Sequence, residues 1–171
     1  MQIFFIGFMA AGKSTIGELL AAQLARPFVD LDAEIEARAG MSVREIFDTL
    51  GEPVFRDLEH RALKFTLELP GAVVATGGGT VTFERNVDLM RRSGVSVWLN
   101  PPFSTIAERI AAHGKPDRPL FKNEAQALEL YCRRLPAYRR ADLQIDIRPD
   151  EQPQEVAARV VLMLRGRNCS I

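Results

Sequence analysis

The sequence contains little cysteine and histidine, no excess of either charge, and no long apolar run. Two cysteines and two histidines in 171 residues leave no CxxC pair and no Cys/His cluster, which excludes a disulfide-stapled fold and a zinc site. Lysine plus arginine equals aspartate plus glutamate at 22 each, which argues against nucleic acid as a partner. No segment approaches the roughly 18 apolar residues of a membrane span, and no secretory leader is evident. We therefore expect one cytoplasmic domain, a monomer, with no nucleic-acid or membrane partner.

A phosphate-binding loop is present near the start of the chain. Residues 7–14 fit the pattern G-x-x-x-x-G-K-[ST] and read Gly7-Phe8-Met9-Ala10-Ala11-Gly12-Lys13-Ser14. An apolar run at 3–6 precedes the loop, and residues 15–24 follow with apolar side chains at helical spacing. Glycines let backbone N–H groups turn toward an anion, and the helix N-terminus adds partial positive charge. The pattern predicts that Lys13 reaches the phosphates of a nucleoside triphosphate and that Ser14 binds Mg²⁺.

Apolar runs alternate along the chain with segments long enough to form helices. The runs predict strands at 3–6, 27–31, 72–75, 95–99 and 143–147. Helical spacing and capping signals predict helices at 14–25, 31–39, 43–50, 53–68, 83–92, 103–112, 123–138 and 152–165. This order indicates an α/β fold, with a parallel sheet covered by helices on both faces. The irregular stretch 112–122, with two prolines, a glycine and three cations, predicts a mobile lid over a phosphate site.

Two carboxylates come at the end of the second predicted strand. Asp30 and Asp32 are two residues apart, a spacing that in an extended segment points both side chains to the same side. Because the carboxyl ends of parallel strands line the ligand crevice, both are candidates for the phosphate site. One can hold Mg²⁺ through water while the other accepts a proton from an attacking hydroxyl. The alternative is that one of them only caps the following helix.

A glycine run and two arginines are candidates for binding a substrate. Gly77, Gly78 and Gly79 follow the third predicted strand, so the backbone there can lie against a ligand and donate N–H groups. A loop tip with no ligand is the alternative. Guanidinium groups match carboxylates, which makes Arg56 and Arg134 candidates for an anionic substrate. Taken alone, each is typical of a solvated surface residue.

These motifs, in this order, resemble those of the shikimate kinases. The likeness covers nearly the whole chain, and its motifs besides the phosphate-binding loop are Asp30-Leu31-Asp32, Gly51-Glu52-x-x-Phe55-Arg56, Gly77-Gly78-Gly79, Arg118-Pro119-Leu120 and Arg134-x-Pro136-x-Tyr138-x-x-Ala141-Asp142. It implies a three-layer P-loop kinase fold, similar to nucleoside monophosphate kinases, with a five-stranded parallel sheet in the order 2-3-1-4-5. It also implies one domain over 1–171, with a substrate-binding helical region at about 32–62 and the lid at about 112–122. The implied reaction is ATP-dependent phosphorylation of the 3-hydroxyl of shikimate with Mg²⁺ as cofactor. Another small-molecule kinase, such as gluconate kinase, is the alternative.

The resemblance also implies roles for single residues. Asp32 would be the general base, helped by Lys13 and Arg118. The acceptor substrate would be bound by Asp32, Arg56, Gly77, Gly78, Gly79 and Arg134. ATP would be bound by Gly7, Ala10, Ala11, Gly12, Lys13, Ser14, Thr15, Arg109, Arg118 and Gln152. Ser14 and, through water, Asp30 would bind the metal. Ala10 departs from the family pattern, which usually has a glycine at that position.

A different class of protein, a GTP-dependent switch or nucleotide sensor, has one feature in its favour. Residues 114–117 read Gly-Lys-Pro-Asp, which resembles the guanine-reading motif N-K-x-D. The segment lacks the asparagine and follows a predicted helix, whereas that motif closes a strand. The sequence therefore favours a kinase.

Overall fold

The computed structural model describes residues 1–112 and 124–166. Most of the predicted lid at 112–122 lies outside the described residues, as do Arg118 and the segment 114–117. Within the described ranges, no helix has the length and apolar character needed to cross a bilayer.

Five parallel strands form one sheet in the order β2-β3-β1-β4-β5. The strands are β1 (Gln2–Ile6), β2 (Phe28–Asp30), β3 (Val73–Ala75), β4 (Gly94–Asn100) and β5 (Leu143–Asp146). The first strand of the sequence lies at the centre of the sheet, where Ile3 is opposite Val73 on one side and Val95 on the other. The parallel α/β fold and the strand order 2-3-1-4-5 are confirmed.

Eight α-helices, counted over the described residues, connect and flank these strands. They are α1 (Lys13–Leu24), α2 (Leu31–Ala39), α3 (Val43–Thr49), α4 (Gly51–Phe65), α5 (Glu84–Ser93), α6 (Phe103–Ala112), α7 (Glu124–Tyr138) and α8 (Pro153–Gly166). Short 3₁₀ turns at Thr66–Glu68 and Thr80–Thr82 follow α4 and precede α5. Ser42 and Glu45 form a capping box at the start of α3.

The central strand is buried on both faces, and each face has its own apolar core. Ile3 and Phe5 pack with side chains of α1 and α8. Phe4 and Ile6 point to the other face and pack with side chains of α2, α4, α5 and α7. Since successive side chains of a strand alternate between faces, this continuous apolar run supplies both cores and fixes three layers.

Two junctions differ from the predicted boundaries, and both have local causes. The second strand ends at Asp30 and α2 begins at Leu31, so Asp32 lies in a helical turn and not in the extended segment that was predicted. At the other junction, α5 leads directly into β4 at Gly94. A Cβ atom on Gly94 would lie 2.2 Å from the carbonyl oxygen of Gln2, so only glycine allows β4 to approach β1 this closely.

Candidate active site

The phosphate-binding loop connects β1 to α1, and its lysine folds back over it. Gly7 and Gly12 have φ angles of 140° and 98°, a region that favours glycine. Lys13 begins α1, and its Nζ atom donates hydrogen bonds to the carbonyl oxygens of Gly7 at 3.0 Å and Phe8 at 2.8 Å. The ammonium group is therefore held across the loop, at the N-terminus of a helix, where an anion binds favourably.

Ala10, the departure from the family pattern, has the backbone conformation of a glycine. Its φ angle is 58°, and its carbonyl oxygen accepts a hydrogen bond from Arg109 Nη1 at 3.1 Å. Among the described non-glycine residues, only Ala25, at the end of α1, shares this left-handed conformation, with φ of 50°. The left-handed conformation costs an L-residue about 1–2 kcal/mol. Ala10 thus adopts a conformation that is strained for an L-residue.

We expect Ala10→Gly to raise the free energy of unfolding by about 0.5–1 kcal/mol, since relief of strain exceeds the entropic cost of glycine. Urea unfolding measures this difference. Ala25→Gly is the matched control, because it relieves the same conformation far from the loop and should stabilise to a similar extent. Destabilisation by Ala10→Gly alone would mean that the methyl group makes stabilising contacts within the loop.

Ser14 and Asp30 are hydrogen-bonded to each other next to the loop. The Ser14 hydroxyl donates a hydrogen bond to Asp30 Oδ2, while Asp30 Oδ1 accepts from the backbone N–H of Asp32 at 3.0 Å and of Ala33 at 3.3 Å. Asp30 is therefore both the cap of α2 and the partner of Ser14. A hydroxyl and a carboxylate are suitable ligands for Mg²⁺, which keeps several of its waters. The residues present thus fit this ion.

Asp32 reaches the same cleft from the first turn of α2. The prediction that an extended segment aligns the two carboxylates was wrong, because the Asp30 cap starts the helix one residue later. Both side chains nevertheless line one cavity of about 490 Å³. Asp32 Oδ1 would lie only 3.2 Å from a Cβ atom on Gly77, so this carboxylate lies beside the glycine run as well as the phosphate-binding loop.

The two candidate arginines meet at the glycine run. Arg56 and Arg134 are 6% and 7% exposed, so the expectation that each would be a solvated surface residue was wrong. A Cβ atom on Gly79 would lie 2.8 Å from Arg56 Nη2 and 3.0 Å from Arg134 Nη2. Burial lowers the pKa of the Arg134 guanidinium, and the nearby charge of Arg56 lowers it further. A bound anion would relieve this repulsion between two buried cations.

The cavity extends from the phosphate-binding loop and the two aspartates to an opposite wall formed by α6 and the segment around the start of α8; Arg56 and Arg134 do not line it. Its lining residues are Met9, Ala10, Gly12, Lys13, Ser14, Thr15, Ile16, Asp30, Asp32, Thr76, Gly78, Arg109, Ile110, Ile147, Glu151, Pro153 and Val156. Gln152 is exposed and does not line the cavity, although Glu151 and Pro153 on either side of it do. The Nε2 atom of Gln152 donates a hydrogen bond of 3.3 Å to the carbonyl oxygen of Asp150. The structure thus brings Arg109 into the cleft and leaves the Gln152 side chain beside it.

Residues 9–165 match the family model described as shikimate kinase. The chain belongs to the shikimate kinase family. It is 37% identical to the shikimate kinase of Aquifex aeolicus over 97% of each chain. It is 46% identical to that of Geobacter sulfurreducens over 85% of this chain and 81% of the relative. The solved structure of shikimate kinase from Acinetobacter baumannii in complex with shikimate superimposes with a TM-score of 0.88 at 32% identity, covering 99% of this chain and 95% of that one.

We call the place where Arg56 and Arg134 meet Gly79 the arginine site. One of its residues was missed in the sequence analysis. Glu59 is fully buried, and it accepts hydrogen bonds from Arg56 Nη1 at 3.1 Å and from the Thr80 hydroxyl at 2.6 Å. Burial raises the pKa of Glu59, whereas Arg56 and Thr80 lower it. The signal in the sequence was its position three residues after Arg56 on one helix, which allows the side chains to meet.

Proposed function

We propose that this chain transfers the γ-phosphoryl group of ATP to the 3-hydroxyl of shikimate and forms 3-phosphoshikimate, a step toward aromatic amino acids. The observation that carries the proposal is the meeting of Arg56 and Arg134 at Gly79, beside the cleft that holds the phosphate-binding loop and Asp32. In this arrangement the two arginines can bind a carboxylate, Asp32 can accept a proton from a hydroxyl, and the loop can bind phosphates.

The proposed mechanism depends on positioning and on charge. Lys13 and the N-terminus of α1 stabilise the negative charge on the transferring group. Asp32 accepts the proton of the acceptor hydroxyl while the oxygen of that hydroxyl attacks the γ-phosphorus of ATP in line and ADP leaves. Ser14 and, through water, Asp30 would hold Mg²⁺, which would supply further charge neutralisation. We assign Arg118 to the same phosphoryl group, on the resemblance of Arg118-Pro119-Leu120 to the family's lid motif.

The remaining nucleotide contacts and the setting of the reaction follow from the same proposal. Arg109 lines the cavity wall formed by α6 and would contact the nucleotide from there. Gln152 would contact the nucleotide from beside that wall.

We propose a single domain, with α2, α3 and α4 as the substrate-binding helical region. We also propose that the protein is a monomer and acts in the cytoplasm, where ATP is the phosphoryl donor.

Gluconate kinase is the competing assignment, and the family match favours shikimate. A coupled assay of ADP release with shikimate, quinate, gluconate or no acceptor separates the possibilities, with ATP and GTP compared as donors. We expect turnover with ATP that depends on shikimate. Turnover without any acceptor, or faster turnover with gluconate, would refute the proposal.

We expect Arg56→Ala and Arg134→Ala each to raise the KM for shikimate or to lower kcat/KM by about ten- to a hundredfold, the effect of losing one charge-assisted hydrogen bond to an anion. The KM for ATP should barely change. Lysine at either position should restore little, because an ammonium group lacks the planar fork of guanidinium. Initial-rate kinetics with each substrate varied in turn measure these effects. Arg133→Ala is the matched control, since Arg133 is adjacent and 68% exposed.

The double variant tests whether both arginines bind the same group. Because residues that share one partner are not additive, the combined loss should be smaller than the sum of the two single losses in free energy. Full additivity, or an equal loss with an acceptor that lacks the carboxylate, would show that the two side chains do not share it.

A further inference from the structure

Tyr138, the last residue of α7, is buried directly behind the glycine run. Its exposed fraction is 0%, and its ring stacks on Trp98 with ring centres 6.0 Å apart. Its hydroxyl donates a hydrogen bond of 2.6 Å to the carbonyl oxygen of Gly78. Burial raises the pKa of the phenol above its ordinary value, although Arg134 opposes this. The hydroxyl therefore remains a neutral donor.

Gly78 lies between the phosphate-binding loop and the arginine site. A Cβ atom there would be 3.3 Å from Arg134 Nη1 and 3.4 Å from the backbone nitrogen of Met9. A side chain at this position would be tight against the Arg134 guanidinium and in ordinary contact with Met9. Glycine also permits a wide range of backbone angles. Thr80 and Thr82 donate backbone hydrogen bonds to the carbonyl oxygens of Gly77 and Gly79, at 3.2 and 3.0 Å. Tyr138 holds the carbonyl between them, that of Gly78.

The hydrogen bond also determines the direction of the next N–H group. The carbonyl of Gly78 and the N–H of Gly79 belong to one planar trans peptide, so they point in opposite directions. With the carbonyl oxygen held by Tyr138, the Gly79 N–H points away from the tyrosine. Gly79 is the residue that both guanidinium groups approach. Tyr138 also lies four residues after Arg134 on α7, a spacing at which helical side chains are neighbours.

We propose that Tyr138 is a positioning residue for the acceptor substrate, which fixes the Gly78–Gly79 peptide beside Arg134 so that its N–H and the guanidinium bind one carboxylate. This inference rests on the proposed function. It assigns Tyr138 no contact with the substrate.

Tyr138→Phe tests the inference, because phenylalanine keeps the stacking on Trp98 and removes only the hydroxyl. We expect the KM for shikimate to rise about three- to tenfold, the effect of losing one hydrogen bond. The KM for ATP and kcat should change by less than about twofold. With the carboxamide analogue of shikimate, the variant and the unmodified protein should differ little, since the charged group that the peptide positions is absent.

Tyr131→Phe is the matched control, because the chain has two tyrosines and the hydroxyl of Tyr131 donates to Asn100 Oδ1 at 3.2 Å instead. Thermal unfolding of each variant, monitored by the fluorescence of Trp98, identifies a temperature at which all variants are folded. The affinity for shikimate is then measured at that temperature by calorimetric titration. Equal effects of the two substitutions, or a parallel rise in the KM for both substrates, would overturn the inference. Absence of any shikimate-dependent turnover in the unmodified protein would instead refute the proposed function.

Discussion

Replacing Lys13 with alanine is expected to lower kcat by about a thousandfold, the upper range for losing one preorganised group that stabilises transition-state charge. In the structure the Nζ atom is held by the carbonyl oxygens of Gly7 and Phe8, within the loop that would surround the phosphates. The lysine is thus in place before ATP binds. Initial-rate kinetics at saturating ATP and shikimate measure the effect.

Lys64→Ala is the control for this substitution, because Lys64 is exposed in the last turn of α4 and its loss removes the same charge. Both variants should unfold cooperatively, which urea titration monitored by circular dichroism tests. Near-normal phosphorylation by a folded Lys13→Ala protein would contradict the assignment of residues 7–14 as the phosphate-binding loop.

Asp32→Asn is expected to lower kcat by about a hundredfold, the lower range for losing a general base, with a smaller change in the KM for ATP. The amide keeps the size of the side chain but cannot accept the proton. Asp30 is bonded to Ser14 and caps α2, which suits a role toward the metal. Asp32 lies beside the glycine run, where the acceptor would bind, so it is the better placed of the two for this role.

Asp30→Asn separates the two carboxylates. Asparagine still caps a helix, so α2 should persist, but the Mg²⁺ concentration required for half-maximal activity should rise. Asp32→Asn should leave that concentration nearly unchanged. If kcat is unaffected in Asp32→Asn, the residue only binds or orients the acceptor. If both variants respond alike to Mg²⁺, the division of roles between the two residues is wrong.

Most of the fold could be predicted because its signals are local. Apolar runs such as 3–6 and helical spacing in the segments between them identified all five strands and the eight described helices. The start of α2 at residue 31 is confirmed, but β2 ends at Asp30, one residue before the predicted end, so Asp32 was wrongly placed on an extended segment. The order of the strands could not be obtained from periodicity either, because it depends on contacts such as Ile3 with Val73. It came from the resemblance.

The arginine site shows why the rest could not be predicted. On a helical projection Arg56 falls outside the apolar stripe of α4, and such a position is normally solvated. In the folded chain it is covered by the glycine run, by Glu59 and by aromatic rings such as those of Phe55 and Phe83, at 5.1 and 5.2 Å from the guanidinium carbon. These neighbours include residues from distant parts of the sequence, so no local pattern could reveal the burial.

The central place of the first strand has a consequence for synthesis of the protein. Ile3, Phe4 and Phe5 are fully buried in the finished sheet, yet Val73, the partner of Ile3, is 70 residues further along the chain. A ribosome that adds about 5–20 residues per second takes roughly 4–14 s to cover that distance. During this interval the most apolar strand has no partner in its own chain. Of the five strands, this one therefore waits longest for a partner strand, and it has the greatest need of protection by a chaperone.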